Sequence, residues 1–285
     1  MKVFWLQRLT CCGNTHSFLN YESLNTLLKR VELIYHPSLS QKPQEEAVEE
    51  LLRRGEEFDI LLVEGAVRRD DRETLELCRL AGYVVAVGNC AVYGNIPALA
   101  NANVCGLGYR FKEKGGLLGE GFRSKGGLPV INLSGCPAHP EWIAGTLLML
   151  SEGIKPRLDQ WGRPEEFYSS LTHWGCTRNE YFEWKVEAQE LGSKRGCLFY
   201  HFGCRGPLSY SSCNTILWNG VNSKTRAGTS CFGCTEYDFP RTGLWETKQY
   251  AGIPAELPIG VSKRGYIMLS GVAKMFTPER LKGEA

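Results

Sequence analysis

Twelve cysteines in a chain of 285 residues are the side chains best able to do chemistry, and their spacing sorts them into sets. The second half carries His173-x2-Cys176, then Cys197, Cys204 and Cys213, then Cys231-x2-Cys234. The first half carries the pair Cys11-Cys12, then Cys78, Cys90, Cys105 and Cys136, with Gly88 two residues before Cys90 and Gly135 directly before Cys136. Thiolate sulfur is the usual ligand of iron in iron–sulfur clusters, and a cysteine-bearing loop can wrap such a centre. Paired cysteines also suit tetrahedral zinc. A disulfide network is a third reading, although a chain of this size does not need staples. Spacing alone leaves zinc and iron–sulfur clusters both open.

Something must bring these turns together. Short apolar runs at Val3-Phe4-Trp5-Leu6, Val31 to Tyr35, Ile60 to Val63, Val84 to Val87 and Pro129 to Leu133 read as buried strands. Helical patterns fall between them, at Gln44 to Arg54 and Arg72 to Ala81. The alternation predicts an α/β fold, a doubly wound parallel sheet with helices on both faces. Ligands of such sheets bind beyond the carboxyl ends of the strands. Thr10-Cys11-Cys12-Gly13-Asn14, Gly88-Asn89-Cys90 and Ser134-Gly135-Cys136-Pro137 each follow a strand, so the three turns should meet at one sheet edge. Residues 1–150 are expected to form this domain and 151–285 a second one. Strand signals fade from about Ser151, and His173 to Phe239 is rich in Cys, Gly, Ser, Asn and aromatics. Inorganic centres would stabilise so core-poor a segment. The tail beyond Pro240 carries no readable chemistry.

Composition is that of an ordinary folded protein, 43% hydrophobic and 22% charged with a net charge of +2. No concentrated basic stripe marks a nucleic-acid partner. No apolar run reaches the roughly 20 residues of a membrane helix, and the opening MKVFWLQRLTCCGN has no apolar signal core or twin-arginine leader. The expectation is a cytoplasmic protein, peripherally membrane-associated at most, whose thiols stay reduced.

The segment Gly196-Cys197-Leu198-Phe199-Tyr200-His201-Phe202-Gly203-Cys204-Arg205-Gly206-Pro207, with Cys213-Asn214 and Cys231-Phe232-Gly233-Cys234-Thr235-Glu236, resembles the two-cluster region of nickel–iron hydrogenase small subunits. Gly88-Asn89-Cys90-Ala91 and Gly135-Cys136-Pro137-Ala138-His139-Pro140 resemble that family's N-terminal turns, in the same order. The resemblance implies a flavodoxin-like domain and three clusters. Cys11, Cys90 and Cys136 would hold the proximal one, nearest the partner's active site. Cys213, Cys231 and Cys234 would hold a medial [3Fe–4S] centre, and His173, Cys176, Cys197 and Cys204 a distal [4Fe–4S] centre.

One position departs from the family. Its usual turn is Cys-x-Gly-Cys, and Asn14 stands here at the second cysteine. The turn Cys-x-Gly-Asn-Thr, with Ser17, Phe18, Leu19 and Asn20 after it, resembles the cyanobacterial-type group of uptake and hydrogen-sensing hydrogenases. An amide oxygen is a poor ligand for a soft cluster. The proximal centre is therefore expected as [3Fe–4S], or as [4Fe–4S] with water, Asn14 or Cys12 on the last iron.

Other candidates have plainer readings. Cys78 lies in a helical pattern and reads as a packing thiol, and Cys105 as a structural thiol in a loop. His16 and His139 read as hydrogen-bond donors or packed side chains beside the cluster turns. Glu64, after the third strand, falls at the same sheet edge, either as a satisfied carboxylate or as a proton relay. Arg205, Lys224 and Arg226 bring positive charge near the cysteine loops, which raises cluster potentials where it is not solvated.

The resemblance implies an electron-relay subunit. A large subunit would hold the nickel–iron site and split dihydrogen, and electrons would pass to a quinone, a cytochrome or another carrier. The heterodimers would assemble further. The same small subunit would also serve a hydrogen sensor that signals to a kinase. A quinone-oxidoreductase-type subunit would resemble only the first domain and would not need the cysteines from 176 to 234.

Overall fold

The computed structural model describes residues 1–281, and the chain divides into two compact units. Met1–Phe167 with Thr235–Asp238 forms one; Tyr168–Cys234 and the chain from Phe239 onward form the other.

The first unit is built on five strands, β1 (Lys2–Gln7), β2 (Glu32–Tyr35), β3 (Phe58–Glu64), β4 (Ala81–Val87) and β5 (Ile131–Leu133). They lie in the order β2-β1-β3-β4-β5, and every pairing is parallel. Side chains alternate between the two faces, and both are buried. Phe4, Leu6, Leu61, Val63, Val84 and Ala86 join a core with Ala47, Val48, Leu51, Leu77 and Cys78 from helices Gln44–Arg54 and Arg72–Leu80. Val3, Trp5, Ile60, Leu62 and Val85 are also fully buried; Trp5 meets Phe18 of helix Gly13–Leu19 with ring centroids 5.0 Å apart. That helix packs against Pro140–Ser151.

Local signals explain the boundaries. Helix Gln44–Arg54 has Glu45 and Glu46 in its first turn and Arg53 and Arg54 in its last, matching the helix dipole. It stops at Gly55 in the left-handed conformation. Asp71 caps Arg72–Leu80 by accepting the Thr74 N–H at 2.9 Å. Ala81, expected at the end of this helix, is extended and opens β4. Cys105, expected in a loop, lies in a two-residue strand, Val104–Cys105, paired with Val67–Arg68.

The second unit has little regular structure. It holds helix Asn179–Glu183, the 3-10 turn Gly206–Leu208, a small hairpin of Gln249–Tyr250 and Ile253–Pro254, and helix Lys263–Met275. Its core is Ala188, Cys197, Leu198, Phe199, Tyr200, Cys204 and Tyr266. Helix Lys263–Met275, which the sequence did not announce, buries Tyr266 and exposes Met268, Leu269, Val272 and Met275. Among the described residues no helix is long and apolar enough to cross a membrane.

Candidate iron–sulfur sites

At the carboxyl edge of the sheet, Cys11 follows β1, Cys90 follows β4 and Cys136 follows β5. Cys11 and Cys136 are exposed and Cys90 is half-buried. Burial pushes the Cys90 thiol up to about 12, and the fields of Cys136 and Cys11 add to the shift, so the three sulfurs stand together.

Hydrogen bonds lace the turns that carry them. Asn89 and Gly135 pair reciprocally: the Gly135 N–H donates to Asn89 Oδ1 at 2.8 Å, and the Asn89 N–H to the Gly135 carbonyl at 2.9 Å. Asn14 Oδ1 accepts the Ala138 N–H at 2.8 Å, and Ser17 Oγ donates to the Ala138 carbonyl at 2.6 Å. Gly88, at φ +84°, passes directly under the Asn14 amide; a Cβ there would lie 2.3 Å from Asn14 Nδ2, so only glycine fits. Asn14 is thus a buried tie between turns, its oxygen committed to a peptide N–H. Cys12 is the left-handed residue that opens helix Gly13–Leu19.

Glu64 anchors this edge. Its buried carboxylate accepts from Trp5 Nε1 (3.0 Å), Gln7 Nε2 (3.1 Å), Thr10 Oγ1 (3.2 Å), the Asn14 and Thr15 N–H groups (3.0 and 3.1 Å) and Thr15 Oγ1 (2.5 Å). Of the two sequence readings, the structure gives the satisfied carboxylate. His139 caps helix Pro140–Ser151 through Nδ1 and packs on Trp142, while His16 is exposed. Cys78 and Cys105 are core thiols of the sheet domain.

In the second unit, His173, Cys176, Cys197 and Cys204 line one small cavity, with Arg178, Asn214 and Thr225. Hydrogen bonds hold this irregular backbone in place of regular elements. The His173 N–H donates to Gly206 O (3.1 Å), Cys197 N–H to Val186 O (2.8 Å) and Arg205 N–H to Cys231 O (2.7 Å). Asn214 donates to the Thr172 carbonyl at 2.6 Å and accepts from Ser223 and Thr225. Cys213, Cys231 and Cys234 form the adjoining set: burial raises Cys231, and the fields of Cys204, Cys234 and Cys213 add to it. Of the positive side chains of the sequence reading, Lys224 and Arg226 are exposed, while Arg205 is largely buried, its side chain 13% exposed. Arg205 pairs with Glu256, and Lys224 sits over the Phe232 ring at 4.7 Å.

The donors fit iron–sulfur clusters. Among the described residues no cysteine is in a disulfide. Burial pushes Cys204 to about 11 and Cys213 to about 12, so these thiols lose their protons only to a cationic core. Burial, reinforced by Lys185, lowers His173 to about 4, leaving a neutral imidazole able to ligate. The Arg178 and Phe199 N–H groups lie 3.4 and 3.5 Å from the sulfurs of Cys176 and Cys197, the kind of contact that tunes a cluster. Among the described residues no group of His, Cys, Asp and Glu closes on a point for a single metal ion.

Two families match separate stretches of the chain. Residues 11–150 match the family described as NADH ubiquinone oxidoreductase, 20 Kd subunit. Residues 168–245 match the family described as the C-terminal part of the NiFe/NiFeSe hydrogenase small subunit. The chain is 31% identical to the periplasmic NiFeSe hydrogenase small subunit of Desulfomicrobium baculatum, with 84% of each chain covered. It belongs to the nickel–iron hydrogenase small subunits. The F420 non-reducing hydrogenase II small subunit of Methanosarcina mazei is also 31% identical, with 84% of this chain and 73% of that one covered. The recombinant NiFeSe hydrogenase of Desulfovibrio vulgaris Hildenborough superposes with a TM-score of 0.71 at 29% identity, over 86% of this chain and 97% of that one. Small subunits of this family carry iron–sulfur clusters, transfer electrons and pair with a hydrogenase large subunit. The second family match sets aside the quinone-oxidoreductase-type alternative, which shares only the first domain.

Residues 173–234 thus carry seven of the expected donors; the sequence reading assigns Arg178 no role, and names Asn214 within the resembling segment without one. For Arg178, a charged residue two positions after a cysteine was the available signal.

Proposed function

We propose that this small subunit relays electrons from hydrogen oxidation on its large subunit through three clusters to an outside carrier, a quinone or a cytochrome. Cys11, Cys90 and Cys136 hold the proximal centre. Cys213, Cys231 and Cys234 hold a medial [3Fe–4S] centre, and His173, Cys176, Cys197 and Cys204 a distal [4Fe–4S] centre. The observation that carries this reading is the single cavity lined by one imidazole and three cysteines, from the His173-x2-Cys176 motif, Cys197 and Cys204. When bound, such clusters supply one-electron carriers of tunable potential.

The protein's own residues position, enclose and tune. Glu64, Asn14 and Asn89 fix the three turns of the sheet edge. Phe182 lies against His173 with ring centroids 4.3 Å apart and restricts its plane. At the proximal site Asn14 serves as a positioning residue, which leaves three thiolates and makes [3Fe–4S], or [4Fe–4S] with water on the last iron, the proximal form. We place the protein in the cytoplasm, resting on a membrane surface. Met268, Leu269, Val272, Met275 and Phe276 form one exposed apolar stripe, with Lys263 and Arg264 exposed at the helix start and no acidic residue from Val261 to Pro278.

Replacing Cys197 by Ser in the assembled heterodimer tests the relay. Hydrogen-dependent dye reduction should collapse while hydrogen–deuterium exchange, which needs no electron exit, persists. Dye reduction at the native rate would overturn the proposal.

A further inference from the structure

Arg178 is 5% exposed and lines the cavity of the His173 set. Its guanidinium donates to four backbone carbonyls: Gly196 (2.8 Å), Thr225 (3.1 Å), Arg195 (3.2 Å) and Ser193. All four acceptors are neutral, and among the described residues no carboxylate pairs with it. A buried charge without a counter-ion is costly, so a folded protein that keeps one has another source of negative charge at hand. The cavity that Arg178 lines is where that charge would arise, on deprotonation of Cys176, Cys197 and Cys204.

We infer that Arg178 is the buried counter-ion of the distal centre and holds its reduction potential up. This rests on the distal assignment above. Three thiolates on an oxidised [4Fe–4S] core leave one net negative charge, and the single electron taken up leaves two. With Arg178 the enclosed site goes from neutral to one negative charge, so the reduced form gains most from the cation. The residue is suited to the position because its fork fills its own hydrogen bonds with carbonyls, tying residues 193–196 and 225 together. It touches no sulfur through its guanidinium in the structure; it acts as a positioning and electrostatic residue.

The test is a redox titration of the purified heterodimer, followed by electron paramagnetic resonance, with Arg178→Gln and Arg178→Lys beside the native protein. At the native midpoint, Arg178→Gln should lower the reduced-to-oxidised ratio of the distal centre at least about tenfold, a shift of 59 mV for a one-electron couple. Arg178→Lys, which keeps the charge but not the fork, should shift it less than half as far. Iron content reports loading. An Arg178→Gln ratio within about twofold of native at full iron would overturn the inference. So would an equal shift in both variants, or loss of distal iron in both, since each makes the residue a scaffold only. Absence of a distal [4Fe–4S] signal in the native heterodimer would instead defeat the cluster assignment itself.

Discussion

Asn14 Oδ1 accepts the backbone N–H of Ala138 at 2.8 Å, across 124 residues of sequence. The residue that stands where the family carries a cysteine has become a structural tie between the first and third cysteine turns. Removing it should therefore loosen a turn rather than strip a ligand. Asn14→Ala leaves a buried peptide N–H unpaired, at a cost of about 1–3 kcal/mol. Thermal unfolding of the heterodimer should shift down accordingly, while total iron stays native; loss of one cluster's iron with no change in melting would point to ligation instead.

Glu64 receives only donors, so an amide in its place turns an NH2 group toward other N–H groups. Glu64→Gln should cost at least about 1.5–3 kcal/mol, the range of hydrogen bonds to a charged group. The effect should centre on the first turn, because the Asn14 and Thr15 amides lose their acceptor. Hydrogen exchange at those two amides checks this: protection should fall there first, and unchanged protection would contradict it.

The sheet was legible because its strands are short runs of Val, Ile, Leu and aromatics buried on both faces, and because the turns after them carry cysteine and glycine. The carboxyl-edge rule for parallel sheets then placed Cys11, Cys90 and Cys136 together. Glu64 was harder to read. Val63-Glu64-Gly65 has the same pattern whether the carboxylate is solvated or takes six hydrogen bonds, since its donors come from residues 5 to 15. Arg178 escaped for a similar reason: its acceptors are main-chain carbonyls, which any sequence supplies. Helix Lys263–Met275 is apolar on two sides, inward at Tyr266 and outward at Met268 and Val272, so it lacks the single polar face that marks a surface helix.

His36 gives a pH dependence away from the cysteine sites. It is fully buried between Trp5 and Phe18, and burial lowers it to about 4 while Glu64 pulls it back up. Its Nδ1 accepts the Ser38 N–H at 3.1 Å. The unfolded chain takes up a proton near pH 6.5 that the folded one refuses until about pH 4. Folding stability should thus fall as pH drops through that window, by about 1.4 kcal/mol per unit at most. Melting temperatures of native protein and His36→Gln between pH 7 and 4.5 should converge as pH falls; parallel curves would contradict the assignment.

The exposed stripe of helix Lys263–Met275 should bind anionic vesicles. Charge-neutralising Lys263→Gln and Arg264→Gln should weaken binding about fivefold each, from roughly 1 kcal/mol per basic residue at an anionic surface. Phe276→Ser should weaken it too, and added salt should release the protein. Equal binding to neutral and anionic vesicles, or none to either, would count against a lipid partner and favour a protein one.

The measurement that bears most directly on the whole account is iron and acid-labile sulfide analysis of the heterodimer together with electron paramagnetic resonance during a redox titration. Three separately titrating centres should emerge, among them a medial [3Fe–4S] signal that disappears in Cys213→Ser. A colourless preparation, one holding only zinc, or one with these cysteines oxidised to disulfides would contradict it.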